Sequence, residues 1–67
     1  MIVYKGDIIT KLKDAGYSTY RLRKEKLLGE STLTMIRQGK LVSLENIDII
    51  CNLTKLPISE ILEHRQN

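Results

Sequence analysis

The stretch from Ser18 to Gly39, STYRLRKEKLLGESTLTMIRQG, decides the fold of this 67-residue chain. Serine is a favoured helix N-cap, so a helix is expected from Thr19 to about Lys26. The run Leu27-Leu28-Gly29 then interrupts the helical pattern, and a second helix follows that ends before the closing glycine. The stretch therefore predicts two short helices joined by a tight turn.

The second of these helices has two different faces. Leu33 and Ile36 have the spacing to pack with Leu22 of the first helix beneath the turn. The other face carries small or hydrogen-bonding side chains that a core does not explain: Glu30, Ser31, Thr34, Met35, Arg37 and Gln38. A helix with such a face fits the major groove of DNA, where each base pair presents a distinct pattern of donors and acceptors.

Three further helices are predicted outside this stretch. Asp7 and Ser43 are candidate N-caps of a first and a fourth helix, and Gly16 is placed to end the first. Pro57 is placed either just after the fourth helix or at the start of a short fifth one. The spacing assigns inward-facing apolar residues to the three helices: Ile8, Leu12 and Ala15; Leu44, Ile47, Ile50 and Cys51; and Ile58, Ile61 and Leu62.

Two apolar features suggest contacts with a second copy of the chain. Ile2-Val3-Tyr4 predicts a short N-terminal strand within residues 1–5, and an edge strand with no partner in a helical domain favours pairing with another chain. Ile49 and Leu53 give the fourth helix a second apolar side, which either packs under the fifth helix or contacts a partner. The candidate residues of a homodimer interface are Ile2, Tyr4, Ile49 and Leu53.

Length and composition exclude several classes of protein. With 42% hydrophobic and 28% charged residues, the chain is expected to form one globular domain over residues 1–67. A domain of this size has little room for an enclosed active site. The single cysteine cannot form an internal disulfide, and one cysteine with one histidine makes no zinc set. No apolar run approaches the roughly 20 residues of a membrane span, and the N-terminus lacks the pattern of a secretory signal.

The positive charge is concentrated in one half of the chain. Residues 1–40 contain nine basic and four acidic residues, a net charge of +5, whereas residues 41–67 carry a net charge of −2. Such an asymmetry suggests a surface that binds a polyanion. The simpler interpretation is that the lysines only solvate helix faces.

Three spaced motifs carry a resemblance to a known family: Gly16-Tyr17-Ser18-x-x-x-Leu22, Ser31-Thr32-Leu33-x-x-Ile36-x-x-Gly39, and Ser43-Leu44-Glu45-x-Ile47-x-x-Ile50-Cys51. Together they resemble a Cro/lambda-repressor-type (Xre-like) helix-turn-helix domain, especially the compact group with S-L-E-x-L-x-x-I-C in the fourth helix. The resemblance covers about residues 7–62. It implies an all-α, lambda-repressor-like fold of five short helices, with the helix-turn-helix over about residues 18–38.

The resemblance also implies which residues contact DNA. The family's base-reading positions fall on Glu30, Ser31, Thr34 and Met35, and its phosphate-contacting positions fall on Thr19, Gln38, Lys40 and Ser43. Arg23 and Arg37 are added basic candidates for phosphate contact. Simpler interpretations remain open, because the helix dipole alone favours an acidic residue at position 30 and Met35 could cover the core.

The chain departs from the family pattern at several positions. This chain has Thr19, Arg23, Leu27, Arg37 and Thr54 at positions where many relatives have Gln, Ala, Gly, Glu and Leu, respectively. The two arginines add positive charge on the expected DNA side. The absent glycine predicts a reshaped turn between the two helices.

The sequence therefore predicts a DNA-binding transcriptional regulator that reads the major groove of double-stranded DNA with its third helix. The resemblance implies a homodimer on a palindromic or pseudo-palindromic operator, acting as a repressor or Cro-like protein in the cytoplasm of a bacterium or in a phage. We expect no enzymatic activity, cofactor, metal, small-molecule ligand or membrane association. The alternative is a small helical adaptor, for example an antitoxin-like protein, that binds another protein through the side of Ile49 and Leu53.

Overall fold

A computed structural model describes residues 1–66. It contains four α-helices, α1 (Ile8–Asp14), α2 (Thr19–Lys24), α3 (Glu30–Arg37) and α4 (Leu44–Thr54). Their buried side chains form one cluster: Ile8, Leu12, Leu22, Leu28, Leu33, Ile36, Ile47, Ile50 and Ile61. The predicted packing of the two central helices beneath their turn is therefore confirmed. No helix in this part of the chain is long and apolar enough to cross a membrane.

The helices begin at the predicted caps. The side chains of Asp7, Ser18 and Ser43 each accept a hydrogen bond from the backbone amide three residues later, at 3.3, 3.2 and 3.3 Å. Each bond satisfies an amide that has no partner within the helix, which contributes about 1 kcal/mol to stability. Gly29 precedes α3 without a side-chain cap.

The helix ends are only partly as predicted. Gly16 and Gly39 have φ values of 97° and 76°, as expected of glycines that end α1 and α3. The ends of α2 and α4 place lysines in the left-handed region instead, Lys26 with φ 54° and Lys55 with φ 58°. This conformation is unfavourable for a residue with a Cβ, so both positions are strained.

The predicted fifth helix is wrong. After Pro57 the chain makes a single 3-10 turn, Ile58–Glu60, and then becomes extended in the strand β2 (Leu62–His64). Ile61 is buried in the core, as its place in the predicted apolar stripe required. The fold is therefore mostly helical with a two-stranded sheet, not all-α.

The predicted N-terminal strand is present as β1 (Ile2–Tyr4), but its partner lies in the same chain. It pairs with β2 in antiparallel register, with Ile2 opposite His64 and Tyr4 opposite Leu62. Beyond the ladder, the N-terminal amino group of Met1 donates to the carbonyl oxygen of Arg65 at 2.6 Å. The expectation of a strand without a partner is thus wrong, and the two ends of the chain lie side by side.

Lys11 of α1 connects the two-stranded ribbon formed by β1 and β2 to the helices. Its side chain is half-buried, and its Nζ donates to the backbone oxygens of Lys5 and Glu60 at 2.6 and 2.5 Å. These carbonyls belong to the segments that follow β1 and precede β2. One ammonium group therefore connects α1 to both ends of the chain.

Helix α4 uses its apolar residues differently from the prediction. Ile47 and Ile50 are buried, but Leu44, which the spacing assigns to the same stripe, is 77% exposed. Leu44 is the first residue of α4 and lies one turn before Ile47, beyond the edge of the core. Ile49 and Leu53 are half-buried and pack against the core. The second apolar side of α4 is therefore largely used within the fold.

Candidate DNA-binding face

The turn between α2 and α3 forms without a central glycine. The backbone amide of Leu27 donates to the carbonyl oxygen of Leu22 at 3.0 Å, and that of Lys26 donates to Arg23 at 3.1 Å. Lys26 adopts the positive φ that this reversal needs. Leu28, two residues before α3, is buried in the core and so fixes the position at which α3 begins. The predicted reshaping of the turn consists of this left-handed lysine one residue before Leu27.

Helix α3 separates its apolar and polar residues as the spacing predicted. Leu33 and Ile36 are buried, whereas the opposite face is exposed and carries Glu30, Ser31, Thr34, Arg37 and Gln38. Met35 lies at the border and is half-buried, so only part of its side chain is available to a ligand. The exposed face offers hydrogen-bonding groups along the whole length of the helix.

Two candidate contact residues are paired with each other across the turn. Arg23 Nε of α2 lies 2.6 Å from Glu30 Oε2 at the start of α3, with both side chains exposed. An exposed ion pair of this kind contributes little to stability, about 0–1 kcal/mol. Its main effect is on charge, because it neutralises the acidic group on the exposed face of α3.

Two hydroxyl groups on this surface already have intramolecular partners. The Thr34 hydroxyl donates to the carbonyl oxygen of Glu30 at 3.0 Å, which leaves its oxygen lone pairs and methyl group toward solvent. The Ser43 hydroxyl oxygen accepts the cap bond of α4, which leaves its proton free to donate. Thr34 is therefore suited to accept a hydrogen bond or contact a methyl group, and Ser43 to donate to an anion.

The loop after α3 is held in place by a residue predicted for another role. Tyr4, a candidate for the dimer interface, is half-buried, and its hydroxyl donates to the carbonyl oxygen of Lys40 at 2.8 Å. Burial raises the pKa of Tyr4, so the phenol keeps its proton and remains a donor. The ammonium group of Lys40 is exposed beside this fixed backbone.

Two further basic side chains of α2 already interact with other side chains of the chain. Arg21 forms an ion pair with Glu25, which raises the pKa of its guanidinium, and it also lies over the ring of Tyr17 at 4.5 Å. Lys24 lies 5.8 Å from the centre of the Tyr20 ring. The uncharged candidate phosphate contact of this helix, Thr19, is its first residue and is half-buried.

Sequence reasoning missed a contact that supports α3 from behind. Asn46 Nδ2 of α4 lies 3.4 Å from the Thr32 hydroxyl of α3, and both side chains are half-buried. The available signal was a polar residue three positions after the cap of α4, on an otherwise apolar face. Residues 1–66 contain no group of three His, Cys, Asp or Glu that could bind a metal ion.

The chain matches a known protein family. The family model of the Cro/C1-type helix-turn-helix DNA-binding domain matches residues 8–67. The chain belongs to this family. No curated protein and no solved structure matches the chain. The resemblance noted in the sequence is therefore confirmed.

Membership defines the general activity of the Cro/C1-type domain, which is DNA binding in regulation. Such domains place the second helix of the motif in the major groove, while the first helix crosses the backbone. Families of this type are typically non-enzymatic.

Proposed function

We propose that this Cro/C1-type domain is a sequence-specific regulator of transcription that binds a palindromic or pseudo-palindromic operator as a homodimer. Binding blocks or adjusts the access of RNA polymerase, as a small repressor does in a bacterial or phage cytoplasm. The observation that carries the proposal is the exposed polar face of α3, with Arg23 beside its first residue and Arg37 in its last turn. Base readout needs hydrogen-bonding side chains on a rigid helix, and phosphate contact needs adjacent positive charge.

The base contacts are proposed for Glu30, Ser31, Thr34 and Met35. Glu30 accepts a hydrogen bond from a cytosine amino group, and its pairing with Arg23 offsets the repulsion between a carboxylate and the phosphates. Thr34 accepts from an amino group or contacts a thymine methyl, because its own proton is used within the helix. These roles make α3 the reader of sequence.

The phosphate contacts are proposed for residues around both ends of the motif: Thr19, Arg23, Arg37, Gln38, Lys40 and Ser43. Arg37 and Gln38 lie at the end of α3, and Lys40 lies in the following loop, where its carbonyl oxygen accepts a hydrogen bond from Tyr4. A fixed backbone lowers the entropy lost when these side chains meet a phosphate. These contacts position the domain and carry no sequence information by themselves.

In vitro selection from random duplex DNA tests this function directly. A sequence-specific dimer enriches one symmetric site, whereas a protein adaptor binds random duplex weakly and enriches none. Recovery of an unchanged random pool after repeated rounds would contradict the proposal. Enrichment of a single unrepeated half-site would support base reading and contradict the homodimer.

A further inference from the structure

An apolar groove is open on the surface of the domain, between the two-stranded sheet and the start of α4. Its volume is about 440 Å³, and its walls include Ile2, Leu41, Leu44, Ile58 and Leu62. Four of these side chains are strongly exposed, Leu44 at 77%, Ile58 at 54%, Ile2 at 45% and Leu41 at 42%. They are four of the six exposed large apolar side chains in the described part of the chain. The groove therefore gathers most of the exposed apolar surface into one place.

Four structural elements contribute to the groove. Ile2 and Leu62 come from the paired strands β1 and β2, where the register places them on the same face of the ribbon. Ile58 comes from the 3-10 turn, and Leu44 from the start of α4. Contiguous apolar patches of this kind mark interaction surfaces in small proteins. The groove therefore depends on how these elements pack together and not on the exposure of a single residue.

The position of the groove beside the candidate phosphate contacts favours a second copy as its occupant. Leu41 and Leu44 each follow directly after a candidate phosphate contact, Lys40 and Ser43. Half-sites read by such dimers lie about 34 Å apart. The longest dimension of the domain is 38 Å and its others are 22 and 19 Å, so two copies that touch each other directly can occupy neighbouring half-sites.

The charge distribution also suits contact between identical chains. Two copies, each with a net charge of +3, repel each other, most strongly through residues 1–40 with their net charge of +5. Most of the groove comes from residues 41–67, whose net charge is −2. Its only charged or titratable residues are Glu63 and His64, and Glu63 is already paired with Arg65 at 2.8 Å. Because Arg65 offsets the charge of Glu63, two such grooves can meet about a two-fold axis without opposing uncompensated carboxylates.

We propose that this groove is the dimer interface of the domain, where the groove of one copy packs against that of a second. The inference rests on the proposed function, because it identifies the surface that joins two DNA-reading copies. Eight residues line the groove, which is few compared with the 20–30 residues per partner of a standard interface. The dimer is accordingly weak in free solution and is completed on DNA. Among the four predicted interface residues, only Ile2 lines the groove.

The test compares binding to a selected two-half-site duplex with binding to a single half-site. The variant carries Leu44→Gln and Ile58→Gln, which remove exposed apolar side chains without changing charge. Tyr20→Gln is the matched control, because it removes another exposed large side chain, 69% exposed, outside the groove. Circular dichroism and thermal unfolding establish that each variant is folded, and either single substitution serves if the double variant is not.

The expected result is a loss of the enhancement that the second half-site gives, by about tenfold or more, with unchanged affinity for the single half-site. Tyr20→Gln keeps the enhancement. An enhancement that persists in the groove variants would overturn the inference and leave sequence-specific binding intact.

Sedimentation of the free chain separates this inference from the proposed function, since it needs no DNA. The wild-type chain should form dimers as its concentration rises, and the groove variants should stay monomeric at the same concentrations. Dimers that survive in the groove variants overturn the inference. A wild-type chain that remains monomeric and also shows no two-half-site enhancement overturns it as well.

Discussion

At the scale of single residues, the surface around α3 combines groups that are already paired with groups that are free. Thr34 uses its hydroxyl proton within the helix, whereas Arg37 and Lys40 present exposed charges at its end. These two kinds of residue have different consequences for DNA binding. A phosphate contact changes affinity for every sequence, and a base contact changes the order of preference among sequences.

Replacement of Arg37 or Lys40 by Ala should weaken binding to all duplexes by a similar factor. Each variant loses one phosphate contact, so the slope of log K against log salt concentration should decrease by about 0.9. Filter binding or fluorescence anisotropy over a salt series measures this slope. Lys13→Ala, which removes an exposed charge of α1, is the control and should leave the slope unchanged. Equal slopes in all of these chains would exclude the phosphate assignment.

Replacement of Thr34 by Val should alter sequence preference rather than general affinity. The substitution keeps a methyl group and removes the oxygen that is free to accept a hydrogen bond. A lost base contact costs about 1–3 kcal/mol at one base pair and nothing on random duplex. Binding to a set of single-base variants of the selected site measures the change. Ser31→Ala should shift preference at a neighbouring base pair, and an unchanged ranking in both variants would contradict their role.

At the scale of secondary-structure elements, helix ends show where local sequence and fold disagree. Caps at Asp7, Ser18 and Ser43 agree with the elements that they start. The ends of α2 and α4 do not, because Lys26 and Lys55 occupy a left-handed conformation that glycine adopts more easily. The packing of the helices on each side imposes this conformation on the two lysines.

Lys55→Gly should therefore stabilise the domain, by about 0.5–1 kcal/mol. Glycine relieves the strain at φ 58°, and this gain exceeds the extra entropy of the unfolded chain. Lys55→Ala keeps the Cβ and removes the same charge, so it serves as the control and should give no increase. Urea unfolding of the three chains measures the difference. Equal free energies of unfolding for the Gly and Ala variants would show that the left-handed conformation is not strained.

At the scale of the whole molecule, the ribbon and α1 hold the two chain ends together. Lys11 is the connecting residue, and its ammonium group satisfies two backbone carbonyls that lie 55 positions apart in the sequence, at Lys5 and Glu60. The half-buried stem packs beside the ribbon while the charged end forms the bonds. A lysine of the basic half thus has a structural role in joining the ribbon to α1.

Lys11→Met should destabilise the domain by about 1–3 kcal/mol, because it keeps the apolar stem and leaves two carbonyl oxygens without their donor. Lys13→Met, on the exposed side of the same helix, should change stability by less than about 0.5 kcal/mol. Thermal or urea unfolding measures both. If Lys11→Met unfolds at the same urea concentration as Lys13→Met, the two hydrogen bonds do not contribute to stability.

The parts of this fold that were predictable from sequence are those governed by neighbouring residues. The caps, the glycine ends and the burial of Leu22, Leu33 and Ile36 depend on spacings of a few residues. The mistaken fifth helix has the opposite cause, because the spacing of Ile58, Ile61 and Leu62 fits a helix as well as it fits this turn and strand. The pairing that decides between them joins residues from opposite ends of the chain.

The candidate site likewise combines features that the sequence predicts with contacts that depend on how distant elements pack. The polar face of α3 follows from helical periodicity, so its exposed residues could be named in advance. The ion pair of Arg23 with Glu30 and the bond from Tyr4 to Lys40 depend on how the elements meet. Periodicity wrongly places Leu44 in the core, because it predicts which side of a helix faces inward but not where the core stops along the helix axis.

The pairing of β1 with β2 also has a consequence for the order of folding. The helices close loops of a few residues, whereas the ribbon must close nearly the whole chain, with Ile2 opposite His64. Closing a longer loop costs more entropy, and such distant contacts form slowly. We therefore expect the helix-turn-helix to be assembled before the ribbon, with the ribbon amides exchanging hydrogen fastest. Since Ile2 and Leu62 are walls of the apolar groove, that groove is the last surface of the domain to take shape.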